Sequence, residues 1–156
     1  LAEMSGIDGR GRRHVISLKS GGTATVIDES YNANPASMKA TLRHFSGEKN
    51  SGRKIVLLGA MGELGEQSGH YHTALADDIL SSGAEAIILV GDDMAHTAAK
   101  LEQGLDRGVK MSHAANASEA LTEVAKLLSD GDLLLVKGSN YLGLSSAVSA
   151  LVSGEY

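Results

Sequence analysis

The sequence predicts an α/β domain, a mostly parallel sheet with helices packed on both faces. Two observations carry that expectation. From residue 24 onward, apolar runs of strand length alternate with segments of helical period, and no internal repeat or low-complexity segment interrupts them. The runs Lys54–Leu58, Ala86–Val90 and Leu133–Val136 are also nearly continuous in apolar residues, which suits strands buried on both faces, as parallel strands are.

Composition narrows the function classes. At 156 residues the chain is one domain able to bury roughly 68–70% of its unfolded surface. It has no cysteine, which excludes a disulfide frame or a thiolate zinc site and is compatible with a reducing cytoplasm. A formal net charge of −5, one Phe, four Tyr and no Trp argue against nucleic acid as a partner. No apolar run approaches the roughly 18 residues of a membrane span, and the N-terminus lacks the basic and apolar regions of a signal peptide, so no membrane insertion is expected. The first residue is Leu, and Leu1 to Asp8 carry no strong periodicity, so the chain reads as excised from a longer polypeptide.

In chain order, Gly9-Arg10-Gly11-Arg12-Arg13-His14 reads as a short basic loop leading into the strand Val15–Leu18. Ser20-Gly21-Gly22 reads as a turn, so that strand and the run Ala24–Ile27 can pair as a hairpin. Next comes Asp28-Glu29-Ser30-Tyr31-Asn32-Ala33-Asn34-Pro35. Asn34 suits a helix N-cap and Pro35, the single proline, suits the first helical position. Met38, Leu42 and Phe45 then fall on one stripe of that helix. Turn chemistry explains one or two such polar residues; the density of acidic, phenolic and carboxamide groups beside a helix N-terminus also suits an anionic ligand.

Gly47 to Gly52 is a polar loop, and Lys54–Leu58 delivers the chain to Gly59-Ala60-Met61-Gly62-Glu63-Leu64-Gly65. Three glycines there permit close backbone approach, but the spacing is neither a dinucleotide fingerprint nor a P-loop. His70 and His72 lie at the start of a helix bearing Leu75, Ile79 and Leu80. With no third ligand at a recognised spacing, no metal site is assigned to them. Gly83 ends that helix and Ala86–Val90 follows. Asp92 or Asp93 then either caps a helix from Met94 to about Gln103, the favoured reading, or faces a site at the strand's end. Val109–Met111 is a short strand, and Asn116 and Ser118 can cap a helix whose Leu121, Val124, Leu127 and Leu128 form an apolar face. Asp130-Gly131-Asp132 turns the chain into Leu133–Val136. Lys137-Gly138-Ser139 follows, and a last helix carries Val148, Leu151 and Val152. Lys137, at the end of a buried strand, either meets a phosphate or carboxylate as a point charge or emerges into solvent. The loops at Glu29, Gly59 and Lys137 all leave the same edge of the sheet and can converge.

Three of these stretches, in order, carry a resemblance. Ser30-Tyr31-Asn32-Ala33-Asn34-Pro35-Ala36-Ser37-Met38 after two acidic residues, Gly59-x-Met61-x-Glu63-Leu64-Gly65 with Ser68 and His72 following, and Val136-Lys137-Gly138-Ser139 before Leu142-Gly143-Leu144 are similar to signatures of the Mur ligase family. They resemble most the C-terminal domain of the branch that joins D-alanyl-D-alanine to UDP-N-acetylmuramoyl-tripeptide. Ala60, where that family usually has Asp, and Asn140-Tyr141 depart from the pattern.

The resemblance implies a Rossmann-like three-layer αβα domain over residues 14–156, with residues 1–13 as a linker from a missing central ATPase domain. It implies ATP with Mg2+, the metal held mainly by that central domain, and amide formation through an acyl phosphate in bacterial peptidoglycan synthesis, in the cytoplasm. The implied partners are the chain's own N-terminal and central domains, UDP-N-acetylmuramoyl-tripeptide and D-alanyl-D-alanine. Glu29, Tyr31, Asn32 and Asn34 are carried over as nucleotide contacts, and Lys137 as the catalytic charge. Gly59, Glu63, Gly138 and Ser139 line the substrate side. No Gly-Lys dipeptide occurs, so the chain holds no P-loop and is expected to be inactive alone. The other reading is a stand-alone Rossmann-like module that binds a nucleotide or phosphorylated metabolite without chemistry.

Overall fold

A computed structural model describes residues 9–156. Six strands form one sheet: β1 (Arg12–Ser17), β2 (Thr23–Glu29), β3 (Lys54–Gly59), β4 (Ala86–Val90), β5 (Lys110–Ala114) and β6 (Leu133–Lys137), in the spatial order β1-β2-β6-β3-β4-β5. β1 and β2 are the expected antiparallel hairpin, from Arg12 opposite Asp28 to Ser17 opposite Thr23, and every other pairing is parallel. The helices are α1 (Pro35–Ser46), α2 (Ser68–Ser81), α3 (Met94–Leu101), α4 (Ala117–Leu127) and α5 (Leu144–Ser153).

Strand alternation divides the core into two layers. Val56 and Leu58 of β3, Ile87 and Leu89 of β4, and Leu133 and Leu135 of β6 pack with Met38, Leu42 and Phe45 of α1, Leu75, Ala76 and Ile79 of α2, and Met94 and Leu101 of α3. Their sequence neighbours Ile55, Leu57, Ile88, Val90, Leu134 and Val136 point the other way, against Val124 of α4 and Leu144, Val148 and Leu151 of α5. A continuous apolar strand is thus what two helical layers require, and the three-layer αβα expectation holds.

Local chemistry sets the start of α1. Asn34 is extended, its Oδ1 accepts from Ser37 N at 2.9 Å, and Ser37 Oγ accepts from Asn34 N at 3.1 Å, a closed capping box with Pro35 at the first helical position.

Several expectations shift. Arg12, Arg13 and His14, read as loop, are the first half of β1, because the ladder to β2 runs its full length and Arg13 pairs with Glu48. Residues 1–8 of the expected linker lie outside the described residues. Leu80 is 39% exposed, since the buried stripe of α2 runs through His72, Leu75, Ala76 and Ile79. α3 ends at Leu101, and β5 runs from Lys110 to Ala114. Asn116 alone caps α4, by accepting from Glu119 N at 2.9 Å; Leu128 is buried but extended, just past the helix.

Candidate active site

β6, last in sequence, inserts between β2 and β3. The chain leaves β2 for α1 on one face and leaves β6 for α5 on the other, so the topology switches direction here and opens a crevice beyond the carboxyl ends of the strands. Glu29 is opposite Lys137, Leu58 flanks Lys137 from the other side, and Gly59 is opposite Val90. The three loops singled out from the sequence therefore meet at one edge.

Asp28 organises the first loop. Its Oδ1 accepts from the amide and hydroxyl of Ser30, an Asx turn, and its Oδ2 accepts from Gly9 N at 2.9 Å. Tyr31 N donates to Gly9 O at 2.9 Å, and the Arg10 guanidinium lies 3.8 Å from the centre of the Tyr31 ring. Tyr31 and Asn32 are exposed, as is Asn34, whose Oδ1 is occupied by the cap. A cleft of about 410 Å³ opens beside this loop, lined by Asp28, Ser30, Tyr31 and Asn140 with Val148 and Val152 of α5.

Lys137 does not emerge into solvent: it is 5% exposed and donates to the Asn32 carbonyl at 3.0 Å. An ammonium has three N–H groups, so this bond ties the second loop to the first and leaves donors for a ligand. Burial pushes the Lys137 pKa down, and the neighbouring Glu29 carboxylate opposes that. Burial pushes the Glu29 pKa up, Lys137 opposes the rise, Asp28 adds to it and His44 opposes it weakly.

The backbones of Gly59 and Gly138 pass so closely that a Cβ on Gly138 would lie 2.9 Å from Gly59 Cα and 2.7 Å from Leu144 Cδ1. No side chain fits at that crossing. Ser139, 4% exposed, accepts from Gly62 N at 2.7 Å through its hydroxyl oxygen, so its own proton is left to donate. Glu63 is exposed and held at φ 59°, a left-handed conformation costly for a residue with a side chain. Ala60 is buried, its methyl against Gly91.

Neither Asp92 nor Asp93 caps α3: that helix has no side-chain cap, and Asp93 Oδ2 accepts instead from Ser68 Oγ at 3.0 Å. The two carboxylates and burial push the nearby Tyr141 pKa up, burial being the larger cause. His72 is fully buried whereas His70 is exposed, because positions two apart on a helix face different ways. Among the described residues no group of three His, Asp or Glu side chains converges to hold a metal.

A family model described as "Mur ligase, glutamate ligase domain" matches residues 11–140. The chain belongs to that family. This Mur ligase domain is 31% identical over 148 residues to the UDP-N-acetylmuramoyl-tripeptide--D-alanyl-D-alanine ligase of Rickettsia prowazekii, an alignment covering 95% of the chain and 31% of that protein. It superposes on MurF from Acinetobacter baumannii with a TM-score of 0.75 at 24% identity, covering 96% of the chain and 31% of MurF. On the MurF ligase of Thermotoga maritima, solved with ADP, the TM-score is 0.71 at 20% identity, covering 99% of the chain and 33% of that structure. The chain spans about a third of the length of the curated relatives it matches.

Asp28, in the acidic stretch, and His72, in the second signature, were singled out in the sequence, but their bonding roles in the site of the Mur ligase domain were not. Asp28 carried a signal, a carboxylate two residues before a serine, which is the spacing of an Asx turn. The bond from His72 to the Gly59 loop carried none, since its partner is a backbone amide.

Proposed function

We propose that this chain is the C-terminal domain of a bacterial cytoplasmic ligase that joins D-alanyl-D-alanine to UDP-N-acetylmuramoyl-tripeptide with ATP, the residues ahead of β1 being the linker from an upstream ATPase domain. The observation that carries this reading is the buried Lys137 at the switch point, anchored by one bond to Asn32 O and with donors left over, where the Glu29, Gly59 and Gly138 loops meet. The names of the aligned relatives support this choice of reaction.

In this reading the γ-phosphoryl group of ATP passes to the tripeptide carboxylate, the dipeptide amine attacks the acyl carbon, and phosphate leaves as the amide forms. Charge builds on the acyl oxygen and the departing phosphate. Lys137 stabilises it from a site where burial strengthens the interaction. Ser139 offers its hydroxyl proton to the same region. Glu29, Tyr31, Asn32 and Asn34 face the nucleotide, with the Asn34 contact limited to its Nδ2 because Oδ1 holds the cap. Gly59, Glu63 and Gly138 wall the dipeptide side. Magnesium would come with ATP and be held mainly by the upstream domain, since Asp28 and Asp93 are already engaged by Gly9, Ser30 and Ser68.

The test is phosphate release by the polypeptide carrying this domain behind its upstream domain, with ATP, magnesium and UDP-N-acetylmuramoyl-tripeptide, with and without D-alanyl-D-alanine. Release that depends on the dipeptide and falls in Lys137→Ala and Asn32→Ala is expected. Release indifferent to the dipeptide sinks the reading.

A further inference from the structure

The loop after β3 is stitched down at two adjacent amides. Gly62 N donates to Ser139 Oγ at 2.7 Å, and Met61 N donates to His72 Nε2 at 2.9 Å. Both amides are therefore engaged within the protein, and neither is free to bind an oxyanion. The loop serves by being held in place.

The geometry around His72 fixes its tautomer. A backbone N–H can only donate, so Nε2 must present its lone pair to Met61. On the other side Nδ1 lies 2.8 Å from the Ser68 carbonyl oxygen, which can only accept, so Nδ1 carries the proton. The imidazole is fully buried. Around it Ser68 Oγ donates to Asp93 Oδ2 at 3.0 Å and Thr97 Oγ1 donates to the His72 carbonyl at 2.7 Å, so the loop after β4 holds Ser68 and α3 holds the His72 backbone.

We propose that His72, as the neutral Nδ1–H tautomer, is a positioning residue that holds the Met61–Gly62 backbone against the loop after β6 and thereby sets where the Ser139 hydroxyl points. The proposal rests on the ligase reading for its functional consequence; the tautomer itself does not. Met61 N–H left without an acceptor would have to swing out, and Gly62 and Ser139 would lose their register with it.

Two measurements test this. Nitrogen-15 spectra of the imidazoles in this 156-residue chain at neutral pH should show His72 protonated at Nδ1 and bare at Nε2. In the longer ligase, His72→Leu should raise KM for D-alanyl-D-alanine about tenfold with KM for ATP changed less than about twofold, the size expected for one orphaned buried amide. His72→Gln, whose Oε1 can accept from Met61 N, should restore most of it. An Nε2–H tautomer overturns the proposal, as does a dipeptide KM that His72→Leu leaves unchanged or that Gln fails to rescue. If wild-type ligase shows no dipeptide-dependent phosphate release, the ligase reading falls and the spectrum alone decides the latch.

Discussion

The two edges of the sheet are built around charged pairs with opposite bookkeeping of hydrogen bonds. At the amino edge, Asp132 is 2% exposed and every capacity is used. Its Oδ1 accepts from Arg53 N at 2.9 Å, and its Oδ2 accepts from Arg53 Nη2 at 2.9 Å and Ser129 N at 2.8 Å. Arg53 also reaches the Leu127 carbonyl, and Asn50 bridges Arg53 O and Gly131 O. At the carboxyl edge, Lys137 makes one bond to a carbonyl, and burial works against both its charge and that of Glu29. The first arrangement closes the bottom of the fold. The second leaves capacity for something that is not protein, and it stands where the loops converge.

The largest effect should come from the closed pair. Asp132→Ala strands a partly exposed guanidinium and two amides and is expected to cost about 3 kcal/mol, read as a fall in Tm of roughly 6–12 °C for a chain of this size. A loss under about 1 kcal/mol would erase the contrast between the edges.

Lys137→Met should do the reverse. If the proposed ligase reading holds, dipeptide-dependent phosphate release by the longer polypeptide should fall about a hundredfold or more, while Tm of this chain holds or rises, because a poorly paired buried charge has been removed. Stability against pH sharpens the point. The Lys137 pKa is lowered from its ordinary 10.5, so between the lowered value and 10.5 the unfolded chain binds more protons than the folded one. Stability of the wild type relative to Lys137→Met should therefore rise with pH across that window and level off above it. A difference that is flat with pH would mean that Lys137 is not strained by burial.

The smallest effect concerns Asn34, which serves both the fold and the proposed site. Asn34→Ala should cost about 1 kcal/mol from the lost cap, measured by denaturant midpoint, whatever its effect on nucleotide KM. Asn34→Ser should recover most of that stability, because a hydroxyl also caps.

What could be read from the sequence was local. Asn34 and Pro35 gave the start of α1, the two glycines after Ser20 gave the hairpin, and continuous apolar runs gave buried strands. What could not be read depended on partners far along the chain. Arg12 to His14 look like a solvated charge run until β2 lies alongside them. Asp132 looks like a turn residue until Arg53, 79 positions earlier, is packed against it. Nothing in Leu133–Lys137 says that it enters between β2 and β3 rather than at an edge. Yet that insertion places Lys137 beside Glu29 and Gly59, so the site was legible as three loops and not as an arrangement. The family resemblance supplied the order of the loops; the geometry came from the sheet.

That β6 is both the last strand and a central one has a bearing on synthesis. A chain still lacking Leu133–Lys137 holds the β1–β2 hairpin and the β3–β5 strands as two separate pieces, each with an open edge where the missing strand belongs. Joining them requires contacts more than a hundred residues apart, such as Val26 with Leu134, so assembly is expected to be slow and to wait for β6. The same strand brings the lysine. An unfinished copy therefore lacks the charge proposed to act on substrate for as long as it lacks a finished sheet.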